Sequence, residues 1–102
     1  MTIKFKAKEA GEVVRKNLRK AREVSGLSRP DVIKLLEVRN IQMHYTNLQY
    51  YESEASHFSA GILSALAQVY ECRVGDFFDE NGTAFMTREE MIADKLKHKG
   101  AV

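Results

Sequence analysis

From Gly11 onward the apolar residues recur at helical spacing. Val14, Leu18 and Ala21 stand at i, i+4 and i+7, with Arg15, Lys16, Arg19 and Lys20 around them, which predicts an amphipathic helix. Ser25-Gly26 ends it, with Gly26 suited to the left-handed conformation of a C-cap. Leu27 then inserts between helices, and Ser28-Arg29-Pro30-Asp31 opens the next one as a capping box with Asp31 in place of the usual Glu. Pro30 is tolerated because it falls in the first turn, where its missing N–H costs nothing. Val32, Leu35 and Leu36 give this second helix its buried stripe. A third helix over Tyr45–Glu52 gathers Leu48, Tyr51 and Glu52 on one face, at i, i+3 and i+4. Ser59 caps a fourth, with Ile62, Leu63, Leu66, Ala67 and Tyr70 inward, and Val74, Phe77 and Phe78 close the core from a short fifth helix around Gly75-Asp76.

The pattern changes at both ends. Thr2 to Lys8 alternates, with Ile3, Phe5 and Ala7 on one side and Lys4, Lys6 and Lys8 on the other. That period of two fits an arm along a DNA backbone, a strand pairing within a dimer, or a loosely ordered terminus. Asp79-Glu80-Asn81-Gly82 is a turn signal, and Thr87-Arg88-Glu89-Glu90 is a second capping box opening a last helix to about Lys97. Met91, Ile92 and Leu96 share one face of that helix, which at roughly a dozen residues is marginal unless it docks. The expected organisation is an arm over 1–10, a helical domain over 11–80 and a C-terminal helix over 81–102. One connection is long: Glu37 to His44 lies between the second and third helices, and Ile41 to Met43 either hold the third helix differently or extend it backwards.

Composition narrows the class. At 102 residues, 44% hydrophobic and 29% charged, the chain is the length and balance of one small globular domain. No apolar run approaches the ~18 residues of a membrane span, and the N-terminus lacks a signal-peptide core. A lone Cys72 cannot form an internal disulfide, and a cytoplasmic location is expected. The net charge of +2 conceals an uneven distribution. Residues 1–40 hold eleven basic and five acidic residues, a net of +6; residues 41–102 hold five and nine, a net of −4. A sided molecule of this kind offers a positive face to phosphate, although a solvated basic tail beside an acidic half reads the same. His44, His57, His98 and Cys72 have no metal-ligand spacing, and Glu89-Glu90 is explained by capping. No phosphate-cradling glycine loop or nucleophile motif is present, so neither an enzyme nor a cofactor is expected.

The outer face of the third helix is unusual. Thr46, Asn47, Gln49 and Tyr50 carry hydrogen-bonding and aromatic groups but no charge, whereas a solvated face ordinarily carries Lys, Glu and Arg. A neutral polar face marks an edge that touches something.

The ordered set of junctions resembles the helix-turn-helix DNA-binding domain of phage Cro and lambda-repressor-like (XRE-type) regulators. The residues that carry the resemblance are Leu18-Arg19-Lys20-Ala21-Arg22-Glu23, Gly26-Leu27-Ser28, Val32 with Leu36, Leu48 with Tyr51-Glu52, and Leu66-Ala67 with Val74-Gly75-Asp76-Phe77-Phe78, within residues 11–78. It implies an all-α, five-helix domain whose third helix enters the major groove. Tyr45, Thr46, Asn47, Gln49 and Tyr50 become base readers: amides bond adenine, and a Thr methyl or Tyr ring packs on a thymine methyl. Ser28 and Arg29 at the start of the second helix, with Arg15, Arg19, Lys20 and His44, become backbone contacts. Arg22 and Glu52 fall where many relatives hold a partly buried ion pair joining the first helix to the third. Many relatives also carry a Gly after the third helix, where this chain has Glu54.

The function implied is a sequence-specific transcriptional regulator, a repressor by expectation, acting on double-stranded DNA as a homodimer. The expected dimer surface is Phe85, Met91, Ile92 and Leu96. The competing expectation is a protein-interaction module, such as the antitoxin half of a toxin–antitoxin pair, bound to a protein partner.

Overall fold

The computed structural model describes residues 7–99, and side chains from Ala10 to Lys97. Among them are five α-helices and no strand: α1 (Ala7–Val24), α2 (Arg29–Val38), α3 (Tyr45–Ser53), α4 (Ala60–Tyr70) and α5 (Arg88–Lys99). Two short 3-10 helices, Val74–Phe78 and Thr83–Phe85, lie between α4 and α5.

The first helix begins earlier than its apolar period predicts. Ala7, Lys8 and Ala10 are good helix formers, and they extend α1 back through part of the expected arm; the remainder of that arm, residues 1–6, lies outside the described residues. Gly11 is therefore inside the helix, for a steric reason. A Cβ placed there would come within 2.9 Å of Ser56 Cα, so α1 passes against the backbone that follows α3. Val14, Leu18 and Ala21 are buried, as is Asn17 at the same stripe's edge. The Asn17 amide donates to the carbonyls of Phe77 and Asp79, each at 2.9 Å, and so fastens the first 3-10 helix to α1.

Three reversals use one device. After α1, Gly26 sits at φ 71°, while Leu27 N–H reaches Arg22 O at 3.2 Å and Gly26 N–H reaches Glu23 O at 3.0 Å. This is the Schellman pattern, which satisfies the last carbonyls of the helix. Asn40 repeats it after α2 at φ 59°, and Glu71 repeats it after α4 at φ 55°. The helix starts are equally local. Ser28 Oγ accepts from Asp31 N–H at 3.2 Å and Asp31 Oδ2 from Ser28 N–H at 2.9 Å; Ser59 Oγ accepts from Ile62 N–H at 3.1 Å.

The core collects Val14 and Leu18 of α1, Val32 and Leu36 of α2, Leu48 of α3, Leu63 and Leu66 of α4, and Phe77. Two expectations change here. Phe78 is half-exposed although Phe77 is fully buried, because consecutive residues of a 3-10 helix point about 120° apart. Phe85, expected at a dimer surface, belongs to the core: it stacks on Phe77 with centroids 5.8 Å apart, and Tyr70 meets Phe77 edge-on at 6.4 Å. The hydrophobic domain thus runs past residue 80. The Asp79 carboxylate folds the intervening turn by accepting from Asn81 N–H, Thr83 Oγ and Ala84 N–H. These bonds, with the Thr83 hydroxyl first, hold its carboxyl below the usual range.

A left-handed backbone is costly for Glu71 because it carries a Cβ. Replacing Glu71→Gly is expected to raise stability by about 0.5–1 kcal/mol in chemical denaturation.

Candidate nucleic-acid interface

Helix α3 starts at Tyr45, with His44 as its N-cap residue and Asn40–Met43 outside it. The long connection therefore does not extend the helix backwards. At about 100° per residue, Leu48 and Glu52 fall on one side of α3 and Thr46 and Tyr50 on the other. Burial follows that division: Leu48 and Glu52 are buried, while Tyr45, Thr46, Asn47, Gln49 and Tyr50 are all exposed. Tyr51 lies at the boundary, its ring 5.8 Å from Phe58 and 5.9 Å from Tyr50. All five expected base readers are exposed on α3, spread over about 200° of its circumference, and none of them is charged.

What fixes its direction is a buried carboxylate. The Glu52 side chain has no exposure, yet it is an acid. Arg22 grips it with two bonds, Nε to Oε2 at 2.8 Å and Nη2 to Oε1 at 3.0 Å. Arg29 adds a third, Nε to Oε1 at 3.1 Å. Arg22 also donates through Nη1 to Leu27 O at 3.1 Å, so the same guanidinium holds the α1–α2 reversal. One carboxylate thereby joins α1, α2 and α3. The bond to Glu52 holds the Arg22 guanidinium above its already high range. Because desolvation offsets much of the Coulomb gain, the main effect of such a cluster is orientation.

Several expected phosphate contacts are engaged elsewhere. Arg15 donates to Ala55 O, tying α1 to the chain after α3. Lys20 meets Glu90 at 2.7 Å, tying α1 to α5. Arg29 gives its Nε to Glu52 and keeps about a quarter of its side chain, 26%, exposed. Arg19, Ser28 and His44 are exposed; Ser28 Oγ caps α2, and the His44 side chain makes no cap bond. The pairings of Lys20 and Arg29 join residues 70 and 23 positions apart, and no local pattern announces them. Asn17 did leave a signal, a polar residue one turn from both Val14 and Ala21 within an apolar stripe.

Helix α5 docks by charge rather than by its apolar edge. Glu90 faces Lys20 and accepts from Thr87 Oγ at 3.2 Å, so its carboxylate is turned toward α1. Ile92 and Leu96 lie on roughly the opposite side of the helix, and with Met91 they remain exposed, Leu96 at 64%. The Cys72 thiol is half-buried, and desolvation pushes it up to about 11. Among the described residues no cluster of three His, Cys, Asp or Glu side chains is placed to hold a metal ion, and no helix is long and apolar enough to cross a membrane. Compared with protein-family models, curated proteins and solved structures, the chain matches none of them.

Two outcomes are expected. Arg22→Ala leaves the buried Glu52 with Arg29 alone and destabilises the fold by about 3 kcal/mol, whereas Arg29→Ala costs less, because Arg22 still holds both oxygens; denaturant titration measures both. The second concerns pH. Lys20, and then Thr87, lower the Glu90 pKa. A lowered folded pKa means that the latch contributes above the ordinary carboxylate range and is lost as pH falls through the folded value. The protection factors of α5 amides, referred to unfolded-chain rates at the same pH, are expected to fall in acid before those of α4.

Proposed function

We propose that this chain is a sequence-specific DNA-binding regulator, a repressor by class, that presents α3 to the major groove and acts as a homodimer on a two-fold-symmetric operator. The observation that carries the reading is the outer face of α3. Its residues Tyr45, Thr46, Asn47, Gln49 and Tyr50 are exposed and uncharged, while its inner edge is fixed by a buried ion cluster. Groups of this kind are poor surface solubilisers and good readers of base edges, since Asn and Gln pair with adenine and Thr or Tyr with the thymine methyl. The resemblance to Cro and lambda-repressor-like domains supports the same use of α3, with α2 lying across the backbone. Ser28 and the N–H groups of Arg29 other than the Nε held by Glu52, at the start of α2, then stand where a phosphate is met. Two copies are needed because one module of this size binds weakly, and two half-sites one turn apart supply affinity and symmetry.

A second reading is favoured by a different observation. The exposed Met91, Ile92 and Leu96 on α5 fit a protein partner as well as a second copy. A protein-interaction module, such as an antitoxin, would use that edge as its main surface.

Selection of bound sites from random duplex DNA separates the two. An inverted repeat is expected, with affinity falling linearly in log–log against salt. Asn47→Ala and Gln49→Ala are each expected to weaken the selected site about tenfold without loss of stability. If no site is enriched, the interaction module becomes the better description.

A further inference from the structure

The connection before α3 has no regular secondary structure but two distinct sides. Ile41 and Met43 are half-buried and packed against the core, while Gln42 and His44 between and after them are exposed. Its entry is fixed by the left-handed Asn40 and by the bond from Ile41 N–H to Leu36 O at 2.9 Å. Gln42 thus precedes the N-cap residue His44 by two positions, between two residues packed on the core.

Gln42 and Asn47 also line one crevice, of about 300 Å³, whose floor includes Met43, Tyr51, Ile62 and Ala65. On α3, Asn47 lies on the flank next to Tyr51, so it joins the exposed reading face to this crevice. The combination is chemically specific. A carboxamide offers a donor and an acceptor together, the pattern that matches N7 and N6–H of adenine. No cationic side chain lines the crevice to favour guanine. An apolar floor beside the amides has a natural occupant in the C5-methyl of thymine, which cytosine lacks.

We propose that Gln42 and Asn47 form a second reading element that selects an A·T pair at the outer edge of each half-site, with the thymine methyl set into the apolar crevice. The inference rests on the DNA-binding reading above and adds a contact outside those made by α3. Gln42 acts here as a specificity residue, and its exposure leaves the core unaffected by its side chain.

The test uses the full chain. Wild type and Gln42→Ala are taken in parallel through selection from random duplexes. Their affinities are then measured on the selected site and on the same site with the outer thymine replaced by uracil, which differs only in the methyl group. Wild type is expected to enrich an outer A·T pair and to bind the uracil duplex about threefold more weakly, as for loss of one buried methyl. Gln42→Ala is expected to lose that enrichment and about tenfold in affinity on the wild-type site, with an unchanged thermal melt. Equal binding of thymine and uracil duplexes by wild type overturns the proposal. So does a Gln42→Ala variant that selects the same site with the same affinity. In both cases DNA reading by α3 stands. Failure of wild type to enrich any duplex overturns both.

Discussion

Three helices of this protein are held to one another through a single carboxylate. Glu52 is buried without exposure, and an isolated charge in that position would cost several kcal/mol. Its three guanidinium bonds are therefore required, two in a bidentate fork from Arg22 on α1 and one from Arg29 on α2. The result is a rotational setting for α3. If Glu52 must point inward and Leu48 must be buried, Thr46 and Tyr50 have only the solvent side left to occupy. The uncharged face is exposed because the charged residue of the helix is buried, which inverts the usual distribution on a small amphipathic helix. Tyr70 borders the same region: its hydroxyl is buried with no hydrogen-bond partner among the described residues, and desolvation first, then the neighbouring Glu52 charge, raises its pKa.

The scaffold around that cluster is made of short-range devices. Gly26, Asn40 and Glu71 turn the chain after three helices with the same two bonds, and Ser28 and Ser59 start two of them. Local signals of this kind are written in a few consecutive residues, so α2, α4, the Ser28 capping box and the Gly26 reversal were legible in the sequence. The apolar period was equally readable at Val14, Leu18 and Leu48. Glu71 was not, since nothing in a glutamate announces a left-handed residue; only the requirement to reverse after Tyr70 imposes it.

Other features were illegible because their causes lie far apart in the chain. Gly11 resembled a helix boundary and is in fact a contact with Ser56. Phe85 resembled a surface residue beyond the domain, yet it completes an aromatic stack on Phe77. Arg15, Lys20 and Arg29 share a basic composition that points to phosphate, but each finds a partner inside the protein. Charge counted along a sequence thus overstates the cation available to a ligand. The candidate reading face was clearer, because exposure on α3 depends on periodicity within nine residues.

The bonds of α1 also set an order of events during synthesis. Helix α1 is synthesised well before most of the residues that fasten it. Glu52 follows Arg22 by 30 residues, the Phe77 carbonyl follows Asn17 by 60, and Glu90 follows Lys20 by 70. At ordinary elongation rates the last of these gaps lasts about 4–14 s. Through that interval α1 is a basic amphipathic segment with its apolar stripe uncovered, in a crowded and largely anionic neighbourhood. The helix made first is the one whose environment is completed last, so the nascent chain, rather than the finished fold, is where this protein is most exposed to misassociation.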